Sequence, residues 1–339
     1  MQKILVVAPS WVGDCMLMQP MLLRLKQRFP DSRIDLLAPP WTVSLLRQMP
    51  EINEVVVNPF PHGALQLKAR YRLGVQLRAA RYDAAYVLPN SLKSALVPFF
   101  AHIPQRIGFV GEMRYGLLND ARKLDKQKLP LMVERFAQLA EATPDVLPRP
   151  LPQPHLSVGE EQRQNVLRKF GLTLEQPVAV FCPGAEYGPA KRWPVDYYAA
   201  LSLQLRERGY AVWLLGSPKD KEVSTQISAL SDGYCRNLCG KTDLSDAIAL
   251  LSCADLVVSN DSGLMHIAAA LDRPMLAIFG SSSPQFTPPL SAKAQVLQFD
   301  IPCSPCFKRE CPLGHFNCMM QLTPDKVAKH IPLISEHQP

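Results

Sequence analysis

The sequence predicts an α/β protein built from two successive parallel-sheet domains, and three observations predict it. Short apolar runs alternate with helical patterns in both halves of the chain. A cluster of prolines separates the halves. The most sharply defined strand, in the second half, ends in a small-residue turn that opens directly into a helix.

In the first half, residues 4–8 read as a strand, 14–29 as a helix, 34–37 as a strand, 43–49 as a helix and 54–57 as a strand. A basic helix over 65–81 and a strand over 84–88 follow. Strands of this kind are continuous Val/Ile/Leu/Ala runs, not alternating ones, as expected for parallel strands covered on both faces. Pro144, Pro148, Pro150, Pro152 and Pro154 then crowd a stretch that neither a helix nor a central strand tolerates. The linker is placed there, with a first domain over 1–150 and a second from 151. The second half restarts the rhythm with a helix over 159–170, a strand over 178–182, a helix over 196–208 and a strand over 211–215. Helices over 222–230 and 244–253 lead to the strand that begins at 256. Two Rossmann-like domains facing a cleft are the expectation, with ligands at the carboxyl ends of the strands.

The segment LVVSNDSGLMHIAAALDRPMLAIFG, residues 256–280, reads as strand, turn, helix and strand. Free amides and the positive end of the helix dipole make its turn a phosphate cradle at Ser262 and Gly263. Asp261 would repel a phosphate, so it reads as a ligand of sugar hydroxyls or as a helix cap. His266 lies one turn beyond Ser262 on the same face; it is either a packing residue or part of the ligand site. The loop PGAEYGPAKRWP, residues 183–194, follows another strand and carries Lys191 and Arg192, cations suited to a leaving diphosphate. Asp14, just past the first strand in Ser10-Trp11-Val12-Gly13-Asp14, reads either as a general base or as the cap of the next helix.

Charge is uneven. Residues 1–150 hold 20 Lys and Arg against 12 Asp and Glu, and the remainder 17 against 18. The excess in the first half suits an anionic substrate or an acidic membrane surface. Nucleic acid is disfavoured, because no zinc-finger, RNA-binding or helix-turn-helix pattern accompanies the bases. The absence of a Walker lysine motif and of G-x-G-x-x-G speaks against ATP hydrolysis and nicotinamide chemistry. No apolar run approaches the roughly 18–20 residues of a membrane span, and Asp14 interrupts what resembles a leader, so a cytoplasmic location is expected. The nine cysteines fit reduced thiols. Cys303, Cys306, Cys311 and Cys318, with His315 nearby, read as a structural zinc site, a redox group or a loop of free thiols.

These motifs, with PNSLKSALVPFF (89–100) and GEMRYGLLND (111–120), resemble the bacterial heptosyltransferases of lipopolysaccharide inner-core synthesis, glycosyltransferase family 9, over nearly the whole chain. The likeness is nearest to the branch that adds the second heptose. The cysteine-rich stretch from Cys303 departs from the enterobacterial pattern. The resemblance implies a GT-B fold: an acceptor domain over 1–150, a donor domain over 151–322 and a terminal helix over 323–339 returning toward the first domain. It implies inverting transfer of L-glycero-D-manno-heptose from ADP-heptose to heptosyl-Kdo2-lipid A, without a cofactor or catalytic metal. Asp14 would be the general base. Gly184, Glu186, Lys191, Arg192, Asp261, Ser262, Gly263 and His266 would line the donor site. Ser10, Gly13, Lys93 and Arg114 are the acceptor candidates, with Arg106 and the bases of 65–81 beside them. The acceptor's lipid would place the enzyme peripherally at the inner face of the inner membrane. Val97, Pro98, Phe99 and Phe100 read as a lipid contact or as a buried helix end. Transfer to another core position, a GT-B sugar-nucleotide 2-epimerase and a non-catalytic binding module are the competing readings.

Overall fold

The computed structural model describes residues 2–61, 63–143 and 146–331. The chain divides into two compact units, residues 1–154 and 155–339, so the boundary falls at the last proline of the expected linker.

The first unit runs β1 (Lys3–Val7), α1 (Val12–Arg28), β2 (Arg33–Ala38), α2 (Val43–Leu46), β3 (Glu54–Val57), α3 (Leu67–Leu77), β4 (Ala84–Val87), α4 (Leu92–Phe100), β5 (Gln105–Phe109), β6 (Asp120–Arg122) and α5 (Met132–Ala140). The second runs α6 (Glu160–Phe170), β7 (Val178–Cys182), α7 (Val195–Glu207), β8 (Ala211–Leu214), α8 (Lys221–Leu230), β9 (Arg236–Asn237), α9 (Leu244–Ser252), β10 (Leu256–Asn260), α10 (Gly263–Ala270), β11 (Met275–Phe279), β12 (Ala294–Gln298), α11 (Asn317–Met320) and α12 (Pro324–Ala328).

Each unit folds around a six-stranded parallel sheet. The orders are β3-β2-β1-β4-β5-β6 and β12-β11-β10-β7-β8-β9, which are the same doubly wound order once the second is counted from its own first strand. The chain reverses its direction of travel between β1 and β4 in the first sheet, and between β7 and β10 in the second. Crevices that hold ligands open at the carboxyl ends of such strand pairs. The central strands are buried along their whole length: β7, β10 and β11 have no exposed residue. Burying one Val, Ile, Leu or Phe side chain fully stabilises by about 1.5–3 kcal/mol, so these runs fix the register that sets the site.

Elements without a sequence-based expectation are mostly at the sheet edges. Strands β6, β9 and β12 are short and partly exposed, and an edge strand need not carry an apolar run. At the end of α4, Val97 and Pro98 are buried, Phe99 is exposed and Phe100 is half-buried. Residues 323–331, the described part of the terminal segment, pack on the second unit. Val327, Ala328 and Ile331 belong to the hydrophobic core of the second unit, and the Arg208 guanidinium donates to the Ala328 carbonyl. Residues 332–339 lie outside the described residues. No described helix is long and apolar enough to cross a membrane.

Candidate active site

Strands β7 and β10 lie side by side, with Cys182 paired to Ser259. Their carboxyl ends therefore bring the 183–194 loop and the 261–263 turn together at the strand-order reversal. Asn260, the last residue of β10, locks the two segments. Its Oδ1 accepts from the Trp193 amide and the Tyr198 hydroxyl, both at 3.1 Å, and its Nδ2 donates to the Pro183 carbonyl at 2.7 Å. The side chain is fully buried. Trp193 stacks edge-on against Tyr198 at 4.9 Å and donates its indole N–H to the Leu322 carbonyl. Both ends of the 183–193 loop are thus fixed by one amide group. Sequence reading treated Asn260 only as part of a turn; a buried Asn closing a strand is the signal that singles it out.

Within this frame Lys191, at the end of a short 3-10 turn, reaches Asp261. The Nζ to Oδ2 distance is 2.5 Å, with side-chain exposures of 18% and 5%. The ammonium also lies 5.2 Å from the Tyr187 ring centroid. Asp261 caps nothing: the N-cap of α10 is Ser262, and no side chain caps that helix. The first amides of α10 are therefore directed at the site without a capping side chain, an arrangement that favours an anion. His266 is buried one turn along. Burial pushes its imidazole down to about 4, a shift opposed by Asp261 and reinforced by Lys191. It is a neutral ring at physiological pH, able to accept or donate one hydrogen bond but carrying no charge.

The remaining donor candidates surround this cluster. Gly184 has a steric reason to lack a side chain, since a Cβ there would come within 2.5 Å of the Asp220 carboxylate. Asp220, missed by sequence reading, is held by the Ser217 amide and hydroxyl at 2.8 Å each. Glu186 pairs with Lys219 at the surface. The Nε of Arg192 is buried with no partner among the described residues.

In the first unit, β1 and β4 define the corresponding crevice. Asp14 stands in the first turn of α1, whose N-cap is Trp11. Asp14 and Gly13 are half-buried. The Ser10 carbonyl accepts from the Trp41 indole at 2.9 Å. Lys93 sits in the first turn of α4 and is half-buried.

Arg114 departs from its expected role. It is 1% exposed, and its guanidinium donates to the carbonyls of Pro89, Ser91 and Phe109, the Ser94 hydroxyl and the Asn90 side chain. It fastens the 89–94 loop to β5 instead of facing an acceptor. Other members of the basic stretch are likewise engaged inside the protein. Arg70 donates to Leu65, Lys93 and Ala64, Arg78 to Phe100, and Arg106 to Leu117 and Ile103. Sequence counts charges; only the fold shows which ones serve backbone carbonyls. Lys68, Arg72, Arg81 and Lys123 remain exposed.

Comparison with known proteins places this geometry. A solved structure described as E. coli ADP-heptose lps heptosyltransferase II superposes with a TM-score of 0.88 at 47% identity, covering 97% of both chains. The fold is that of a GT-B glycosyltransferase. Lipopolysaccharide heptosyltransferase 2 of Salmonella typhimurium is 50% identical over 98% of this chain and 99% of its own length. The Escherichia coli protein of that name is 49% identical over 97% of each. The model of glycosyltransferase family 9 (heptosyltransferase) matches residues 70–317, and the chain belongs to that family.

Proposed function

We propose that this heptosyltransferase moves L-glycero-D-manno-heptose from ADP-heptose onto the heptose of heptosyl-Kdo2-lipid A, with inversion at the anomeric carbon. The observation that carries the reading is the Lys191–Asp261–His266 cluster at the uncapped start of α10. It offers a cation and helix amides to a diphosphate, and a carboxylate and a neutral imidazole to sugar hydroxyls. The likeness to E. coli ADP-heptose lps heptosyltransferase II supports ADP-heptose as the nucleotide sugar.

Asp14 takes the proton from the acceptor hydroxyl as its oxygen bonds to the anomeric carbon. The bond from that carbon to the diphosphate breaks, and its electron pair leaves with ADP. Lys191 and the first amides of α10 stabilise the charge that develops on the leaving oxygen, a contribution that preorganised donors make at no reorganisation cost. Asp261 holds Lys191 in place before the donor arrives and then turns to the sugar. The acceptor's acidic sugars and phosphates meet the exposed Lys68, Arg72, Arg81 and Lys123 and the half-buried Lys93, with the enzyme peripheral at the inner leaflet.

The test is incubation of purified enzyme with ADP-heptose and a panel of truncated lipopolysaccharides, scored by ADP release and by the mass of each acceptor. Gain of one heptose by the mono-heptosylated acceptor alone is expected. Gain by the heptose-free acceptor, or ADP-heptose conversion with no acceptor present, defeats the reading.

A further inference from the structure

Eight of the nine cysteines fall into two groups, and Cys253, half-buried, belongs to neither. All nine are free thiols. Cys15, Cys182, Cys235 and Cys239 are buried in the sheets and their flanks, where a thiol packs as a small apolar group. Cys303, Cys306, Cys311 and Cys318 are half-buried and line one small pocket with His315, Ala190 and Ser281. The cavity measures about 20 Å³, the space of a single water-sized occupant. The other three sulfurs lie close enough to Cys318 to interact with it electrostatically. Around Cys311 the backbone amides of Leu313, Gly314, His315 and Phe316 turn toward the sulfur. That wrap needs left-handed backbone at Gly314 (φ +69°) and at Phe316 (φ +49°). The Ser281 hydroxyl at the same pocket is buried with no partner among the described residues.

We propose that Cys303, Cys306, Cys311 and Cys318 form a tetrahedral site for one thiophilic divalent ion, zinc or iron(II), and that the ion ties the 303–318 segment beneath the Lys191 loop. As the side chains stand, no group of three or more His, Cys, Asp or Glu among the described residues is disposed to hold a metal. Metal–sulfur bonds of about 2.3 Å require the sulfurs to draw in to about 3.8 Å of one another, so metal binding requires rotation about the Cα–Cβ bonds and a shift of the loop. Each thiol gives its proton to solvent as it binds. Four thiolates complete the tetrahedron, so His315 is a wall of the site and not a ligand. Its Nδ1 already accepts from the Asn317 amide at 2.9 Å.

The segment supports the donor loop at several points. The Phe307 carbonyl accepts from the Tyr187 hydroxyl at 2.8 Å, and the Arg309 carbonyl from the Ala190 amide at 3.0 Å. The Arg309 guanidinium lies 5.3 Å from the Tyr187 ring centroid. Any side chain at Gly188 would strike the Arg309 carbonyl. The Phe307 amide in turn donates to the Ser281 carbonyl beyond β11. The site is therefore structural, and its bearing on the donor rests on the function proposed for Lys191.

The test uses untagged full-length protein produced with zinc and iron both supplied, analysed for metals by mass spectrometry. About one ion per chain is expected, the element reporting which of the two is held. Cys311→Ser and the Cys303→Ser/Cys306→Ser pair should lose it, and His315→Gln should keep it. Cobalt exchanged into the wild-type protein should give the intense visible bands of a tetrahedral thiolate site, which does not depend on any variant folding. Absence of stoichiometric metal, or retention in the serine variants, overturns the site. Hydrogen exchange over residues 187–191 should accelerate when a chelator strips the ion. Unchanged exchange in metal-stripped protein overturns the bracing role and leaves the site and the heptosyl-transfer reading standing.

Discussion

Replacing Lys191 by Met separates two roles that the structure gives to one side chain. The substitution keeps the length and removes the charge. Asp261, 6% exposed and now without its 2.5 Å partner, would be left as a buried carboxylate beside an uncharged ring. Removing one member of a buried ion pair costs about 3–5 kcal/mol, because the other charge stays desolvated. For a unit of this size, each kcal/mol shifts the melting temperature by about 2–4 °C, so a loss of roughly 6–20 °C is expected. Adding Asp261→Asn removes the stranded charge and should restore most of that loss. It should not restore ADP binding, which needs the cation. The assay is thermal unfolding and ADP titration calorimetry on the wild type, both single variants and the double variant. A Lys191→Met protein as stable as wild type would refute the ion-pair reasoning. Recovery of ADP affinity in the double variant would show that Lys191 served only Asp261.

Asp14→Asn should bind ADP-heptose normally while turnover falls by at least about 10²-fold, the lower end for a general base; near-normal kcat removes Asp14 from the proton transfer. Asn260→Ala strands the Trp193 amide and the Pro183 carbonyl. It should lower stability by about 1–3 kcal/mol per unsatisfied buried group and weaken ADP binding, and an unchanged urea midpoint would contradict the clamp. His266 has its native proton affinity depressed to about 4, so between about 6.5 and 4 the unfolded chain binds a proton that the native state refuses. Stability therefore rises with pH across that window, by up to ~3 kcal/mol from this residue. Urea unfolding of His266→Gln should lose that part of the pH slope; parallel slopes for variant and wild type would argue against a buried neutral imidazole.

Central strands and the loops after them were legible because their chemistry is local. The runs at 178–182 and 275–279 coincide with β7 and β11, and the turn after β10 announces itself by small residues at a helix start. The edge strands β9 and β12 were not legible, since they are held by backbone pairing with a neighbour and not by their own apolar content. The edge strand β3, by contrast, carries an apolar run of its own. Site residues divide in the same way. Lys191 and Asp261 stand out by type and position. Asn260 and Asp220 act through what they touch, 62 to 77 positions away for Asn260, and through the approach to Gly184 for Asp220. Arg114 shows the opposite failure, a charge whose sequence neighbourhood suggested a ligand but whose partners are carbonyls. The terminal helix was an inference from kinship; of that segment, α12 packs against α7 in the second unit, and residues 332–339 lie outside the described residues.

The Asn260 clamp has a consequence for how donor specificity can be altered. Because one amide carries bonds to Pro183, Trp193 and Tyr198, the two loops form a single inheritable cassette. Grafting the 183–194 loop from a relative that uses another nucleotide sugar would import a backbone path cut to a different anchor. A recombination library that breaks the chain between β7 and β10 should therefore yield mostly inactive chimeras. One that moves residues 178–266 as a block should keep its loops in register with each other.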